Sequence, residues 1–82
     1  MKPYSHNNDV RKFSKDVNEM DLVWHQDKED RKIEVLEGKG WKFQKDNELP
    51  LELKKGDRIF IAEGEIHRVI KGTTDLKIKI NG

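Results

Sequence analysis

The chain has 82 residues, no cysteine, 40% charged and 33% hydrophobic residues, and 17 Lys plus Arg against 16 Asp plus Glu. That length allows one small domain, burying about 60% of its unfolded surface. A net charge of +1 gives no electrostatic ground for nucleic-acid binding, no apolar run approaches the roughly 20 residues of a membrane span, and without Cys there is neither a disulfide framework nor a thiolate zinc site.

The low hydrophobic fraction does not imply disorder, because disorder by composition also needs a high net charge. The opening residues carry no apolar stretch of the secretory type, so a cytoplasmic location is expected. A domain this small without disulfides is marginal, and a homodimer or a bound metal is expected to support it.

Residues 1–8 are polar and read as loose, and His6 among them reads as solvated. Val10, Phe13 and Val17 follow, an irregular apolar spacing that suggests an ordered arm with one short strand. Residues 1–18 are therefore taken as a partly ordered arm, and 19–82 as a single domain. Asp21-Leu22-Val23-Trp24-His25 is rich in strand formers. Arg31-Lys32-Ile33-Glu34-Val35-Leu36 alternates, and Glu37-Gly38-Lys39-Gly40 closes it as a turn. Trp41-Lys42-Phe43-Gln44 is the next strand, and Lys45-Asp46-Asn47-Glu48 a second turn. Leu49, Leu51 and Leu53 lie two apart, with Pro50 marking an edge or a strand start. Strands are predicted again at Arg58-Ile59-Phe60-Ile61, His67-Arg68-Val69-Ile70 and Leu76-Lys77-Ile78-Lys79-Ile80, with turns at Lys54-Lys55-Gly56-Asp57, Ala62-Glu63-Gly64-Glu65 and Gly72-Thr73-Thr74. Period-2 segments recurring every 8–12 or so residues read as an all-β sandwich or barrel.

Alternation also sorts side chains by face. Ile33 and Val35 facing the core bring Arg31 to the same side. Val69 inward brings His67 inward. Val23 inward would bring His25 and Asp27 inward and leave Leu22 and Trp24 outside, needing a cover such as the arm or a second subunit. Two imidazoles and a carboxylate converging on one point form a ligand set for a divalent transition metal (Fe, Mn, Ni, Co or Zn), because burying these groups is costly unless they are paired or coordinated. The bland alternative is two hydrogen-bonded histidines, with Asp27 a turn carboxylate bonded to backbone amides.

The stretch GDRIFIAEGEIH, with Gly56, Ala62, Gly64 and His67 at their spacing, resembles the second conserved motif of the cupin superfamily. Ala62 stands where that motif usually has Pro, and Lys71 where it has Asn. In WHQDKEDRKIEVLEG, His25 and Gly38 keep the places of the first cupin motif, Asp27 replaces its second His and Arg31 its Glu; Glu19 stands at the usual leading Gly. Seventeen residues separate Gly38 from Gly56, as in a compact cupin, and the resemblance covers residues 19 to 80. It implies a small cupin-type β-barrel or sandwich (double-stranded β-helix) of about eight short strands. It also implies a metal held by His25, Asp27 and His67, and dioxygenase, lyase or isomerase chemistry on a small polar or anionic molecule.

Arg31 cannot ligate a metal; it reads either as an ion-pair partner of Asp27 or Asp30 or as a contact to an anionic substrate. A bulge after Glu29 could instead turn Asp30 inward. Trp41 and Phe43 read either as core or as the lining of a pocket mouth that contacts substrate. Trp24 is the candidate dimer contact, and Arg68 faces the outer rim. No catalytic residue is assigned. Two rival functions remain open: a metal-free cupin that binds or senses a ligand, and a β-barrel module that docks another protein.

Overall fold

The computed structural model describes residues 4–7 and 9–81. Its strands are β1 (Ser5–Asn7), β2 (Val10–Phe13), β3 (Arg31–Glu37), β4 (Lys42–Lys45), β5 (Leu51–Glu52), β6 (Arg58–Ile61), β7 (His67–Ile70) and β8 (Leu76–Asn81). They form a five-stranded sheet, β1-β2-β8-β3-β6, and a three-stranded sheet, β5-β4-β7. Every pairing is antiparallel. The result is a small sandwich of two separate sheets with the core between them. Among the described residues no helix is long and apolar enough to cross a membrane.

Alternation builds the larger sheet. In β8, Leu76, Ile78 and Ile80 are buried while Lys77 and Lys79 point away. The register carries this pattern across the strands. Ile78 lies opposite Arg11 on one side and Val35 on the other. Ile33 sits between Ile80 and Ile59, and Arg31 faces Ile61. Among the described side chains the inner face is thus apolar except for Arg11 and Arg31. A bulge between Val35 and Glu37 resets the register at the end of β3. In the smaller sheet Phe43 lies beside Val69 and supplies the buried face.

Trp41 fills the end of the sandwich. It is fully buried, its Nε1 donates to the Thr74 carbonyl (2.6 Å), and its ring centroid is 5.8 Å from that of Phe13. The chain passes against it at Gly72, where a Cβ would collide with the Lys39 carbonyl and the Trp41 backbone nitrogen. Glycine is required there by space rather than by dihedral angle.

Two sequence expectations are corrected. First, Ser5–Asn7 is not loose; it pairs with β2, which in turn pairs with β8. That ordering comes from a non-local partner that local polarity does not report. Residues 1–3, Asn8 and the His6 side chain lie outside what is described. Second, Leu22 is buried and Val23 exposed, the reverse of the expectation, whereas Trp24 is exposed as expected. A 3-10 turn at Glu19–Asp21, whose Met20 amide is capped by Asn18 Oδ1 (2.9 Å), breaks the period-2 phase just before them. Of the run Leu49, Leu51, Leu53, only Leu53 enters the core, and β5 is two residues long at the sheet edge, as Pro50 suggested.

Candidate metal centre

His67 opens β7 and is the only buried polar or charged residue among those described. One side of β7 is paired with β4. On the other side the chain segment at residue 25 adds a single antiparallel bridge. The His25 amide donates to the His67 carbonyl and the His67 amide donates to the His25 carbonyl, each at 3.0 Å. Two residues on, the Gly64 amide donates to the Asp27 carbonyl (3.0 Å). This backbone stitching lays residues 25–27 against residues 64–67, so that His25 and Asp27, two apart, project from one face towards His67. The expected convergence is present, although Val23 does not share it. The bridge sets the phase of these side chains; a continuous strand from Val23 does not.

One ligand atom from each of His25, Asp27 and His67 lies within 4.8 Å of the other two, an arrangement that could hold a metal ion. A pair as wide as 4.8 Å would have to close by about 1.4 Å to share a tetrahedral ion with bonds of about 2.1 Å. His67 Nε2 and Asp27 Oδ2 are 3.4 Å apart. Two ligands on a tetrahedral ion at these bond lengths are separated by about 3.4 Å. The two imidazole rings meet edge to face with centroids 4.3 Å apart, and the Phe43 ring backs His67 at 5.7 Å.

The backbone decides the tautomers. His25 Nδ1 is 2.9 Å from the Val23 carbonyl, and His67 Nδ1 is 2.7 Å from the Glu65 carbonyl. A carbonyl can only accept, so both Nδ1 atoms carry the proton and donate it. In its neutral form each ring presents a bare Nε2 lone pair, the form that binds metal, with the other nitrogen anchored as metal-ligating histidines usually are. Burial pushes the His67 pKa below the usual histidine value, and the nearby His25 adds to this. The hydrogen bond to Glu65 and the charges of Asp27 and Glu65 pull the other way and do not overcome it. A neutral His67 leaves its Nε2 lone pair facing a carboxylate oxygen at 3.4 Å. Two electron pairs at that distance repel unless a cation or a donated hydrogen lies between them.

Among the described residues only His67 comes within ion-pair distance of the Asp27 carboxylate. Arg31 keeps to the inner face, but its Nη2 pairs with Glu29 Oε1 at 3.4 Å and not with Asp27 or Asp30. Asp30 does not turn inward in place of Arg31; its Oδ1 accepts from the Glu63 amide (2.9 Å). Among the described residues no backbone amide donates to the Asp27 side chain, which removes the turn-carboxylate reading.

The three residues border a cavity of about 470 Å³ between the sheets, within the range of small-molecule sites. Exposed lining residues Val23, His25 and Lys28 mark its mouth. The walls are mainly apolar, with Ile33, Phe43, Ile59 and Val69 among them. Of the residues expected at the pocket, Phe43 and Arg31 line it, whereas Trp41 is a core side chain outside its walls. Trp24 lies on the outside with the Arg68 guanidinium carbon 4.5 Å from its ring centroid, and Arg68 Nε donates to Gln44 Oε1 (3.0 Å).

Arg11, also in the cavity wall, was missed by the sequence reading. The signal was there. Arg11 is two residues before Phe13, and a strand that buries Phe13 turns Arg11 inward as well. No family model, curated protein or solved structure matches the chain.

Proposed function

We propose that this chain binds one divalent transition metal through His25 Nε2, His67 Nε2 and the Asp27 carboxylate, at the mouth of a cavity that admits a small molecule. The observation that carries the reading is the His67 Nε2 lone pair set 3.4 Å from Asp27 Oδ2 with both Nδ1 protons committed to carbonyls. Two imidazoles and one carboxylate leave further coordination positions free for substrate or water. The resemblance of residues 19 to 80 to cupins supports the same assignment. On that resemblance the chemistry is that of an oxygen-dependent, lyase or isomerase reaction at the metal, with iron(II) the metal that this ligand set most often serves.

The test is calorimetric titration of the purified, EDTA-treated protein with Zn²⁺, Mn²⁺ and, without oxygen, Fe²⁺. One ion per chain should bind, and His25→Ala should lose that binding; His25 is exposed, so its replacement leaves the core intact. Absence of binding by all three ions, or equal binding by His25→Ala, would refute the assignment.

A further inference from the structure

We propose that the cavity between the sheets takes an amphipathic monoanion, an apolar body bearing one carboxylate, and that the carboxylate is received by Arg11. The proposal rests on the reading above only in taking the occupant to be a small molecule; the anion site itself needs no metal.

The inner face of the five-stranded sheet carries two cations, and they differ. Arg31 has a partner in Glu29 at 3.4 Å. Arg11 lies between His6 and Ile78 in a row that continues to Val35, with Leu76 and Ile80 buried on either side of Ile78. Among the described residues no carboxylate lies within ion-pair distance of Arg11, and its Nε is buried without a hydrogen-bond partner. The Tyr4 ring lies against the guanidinium, with Cζ 4.4 Å from its centroid. That contact orients the planar group and favours its charge, but it offers no lone pair to Nε. A buried charged donor without an acceptor is costly and is seldom kept in a native interior. Nε itself is closed to a water-sized molecule, but the Arg11 side chain lines the cavity, and a turn of the guanidinium presents its edge to an incoming acceptor.

The chemistry of the acceptor follows from the walls. A guanidinium edge matches a carboxylate in two parallel hydrogen bonds. Among the described residues Arg11 is the cation of the inner sheet face without a carboxylate partner, and Asp27 already places a negative charge at the mouth of the same cavity; one such charge can neutralise a monoanion, whereas a phosphate dianion would bring a second charge out of water without a partner. The apolar lining matches a hydrocarbon or aryl body. The ligand class is therefore narrower than a small polar molecule.

Octanoate serves as the probe and 1-octanol as its neutral match, both titrated calorimetrically into the full chain in EDTA. Octanoate should bind one per chain and at least tenfold tighter than 1-octanol. Arg11→Gln should remove that tenfold preference and leave 1-octanol binding as it was, while Arg31→Gln should keep the preference. Equal affinity of the wild type for the two probes, or no binding of octanoate, overturns the proposal even if Arg11→Gln does not fold. Loss of the preference in Arg31→Gln but not in Arg11→Gln overturns it by moving the anion to the other arginine. Because metal is withheld, octanoate binding alongside failed metal titration sinks the metal reading alone, and the reverse result sinks this one alone.

Discussion

Asp27→Asn separates a metal ligand from an ion-pair partner. In the wild type the His67 Nε2 lone pair faces Asp27 Oδ2 at 3.4 Å. The amide is nearly isosteric and can turn its NH₂ towards Nε2, replacing repulsion by a hydrogen bond with a net value of about 1 kcal/mol. The metal-free variant should therefore be as stable as the wild type or up to about 1 kcal/mol more stable. Metal should act in the opposite sense. An ion at a hundred times its Kd stabilises the native state by about 2.7 kcal/mol, and for a domain of this size that raises Tm by about 11–22 °C. Loss of the carboxylate ligand should cost at least about a hundredfold in affinity. The same ion concentration then yields only about 0.4 kcal/mol, or about 2–3 °C. Calorimetric melts of both proteins at pH 7.5, with EDTA and with Zn²⁺, read all four values. A variant that keeps the full metal-induced shift would show that Asp27 is no ligand. A metal-free variant destabilised by more than about 1 kcal/mol would show that the carboxylate was accepting a proton from a charged His67.

The pH dependence of the metal-free protein follows from His67, whose pKa is lowered on folding chiefly by burial. Above the unfolded value near 6.5 both states are neutral at this site and the full stability is present. As pH falls through that value the unfolded chain takes up a proton that the folded one resists, so stability declines until the folded pKa is passed. The urea midpoint in EDTA should be lower at pH 5.5 than at pH 7.5, and a flat profile over that interval would contradict a buried neutral His67. At Gly72, alanine would drive a methyl into the Lys39 carbonyl and Trp41; the expected loss is about 3 kcal/mol in urea unfolding, and a loss under about 1 kcal/mol would show that the turn can open without disturbing the core. Trp41→Phe keeps an aromatic ring but removes the donor to the buried Thr74 carbonyl (2.6 Å). It should cost about 1–3 kcal/mol, read from the same transitions, and an unchanged midpoint would show that water takes over that carbonyl.

Much of the architecture was legible along the chain. The alternation in Arg31–Glu37, Arg58–Ile61, His67–Ile70 and Leu76–Asn81 marks strands and their inner faces, because successive side chains on an extended backbone must point to opposite sides. The same rule placed His67 inward and set His25 and Asp27 on one face. It failed at Leu22, where the turn at Glu19–Asp21 shifted the phase. Only the folded structure decided that residues 5–13 add two strands beside β8, that Arg31 pairs with Glu29 and leaves Asp27 to His67, and that Arg11 Nε is buried without a hydrogen-bond partner. Alternation is a local steric property, repeated every second residue and readable in any short window. Which strand lies alongside, and which charge finds a partner, depends on residues far apart in sequence whose meeting is settled by packing.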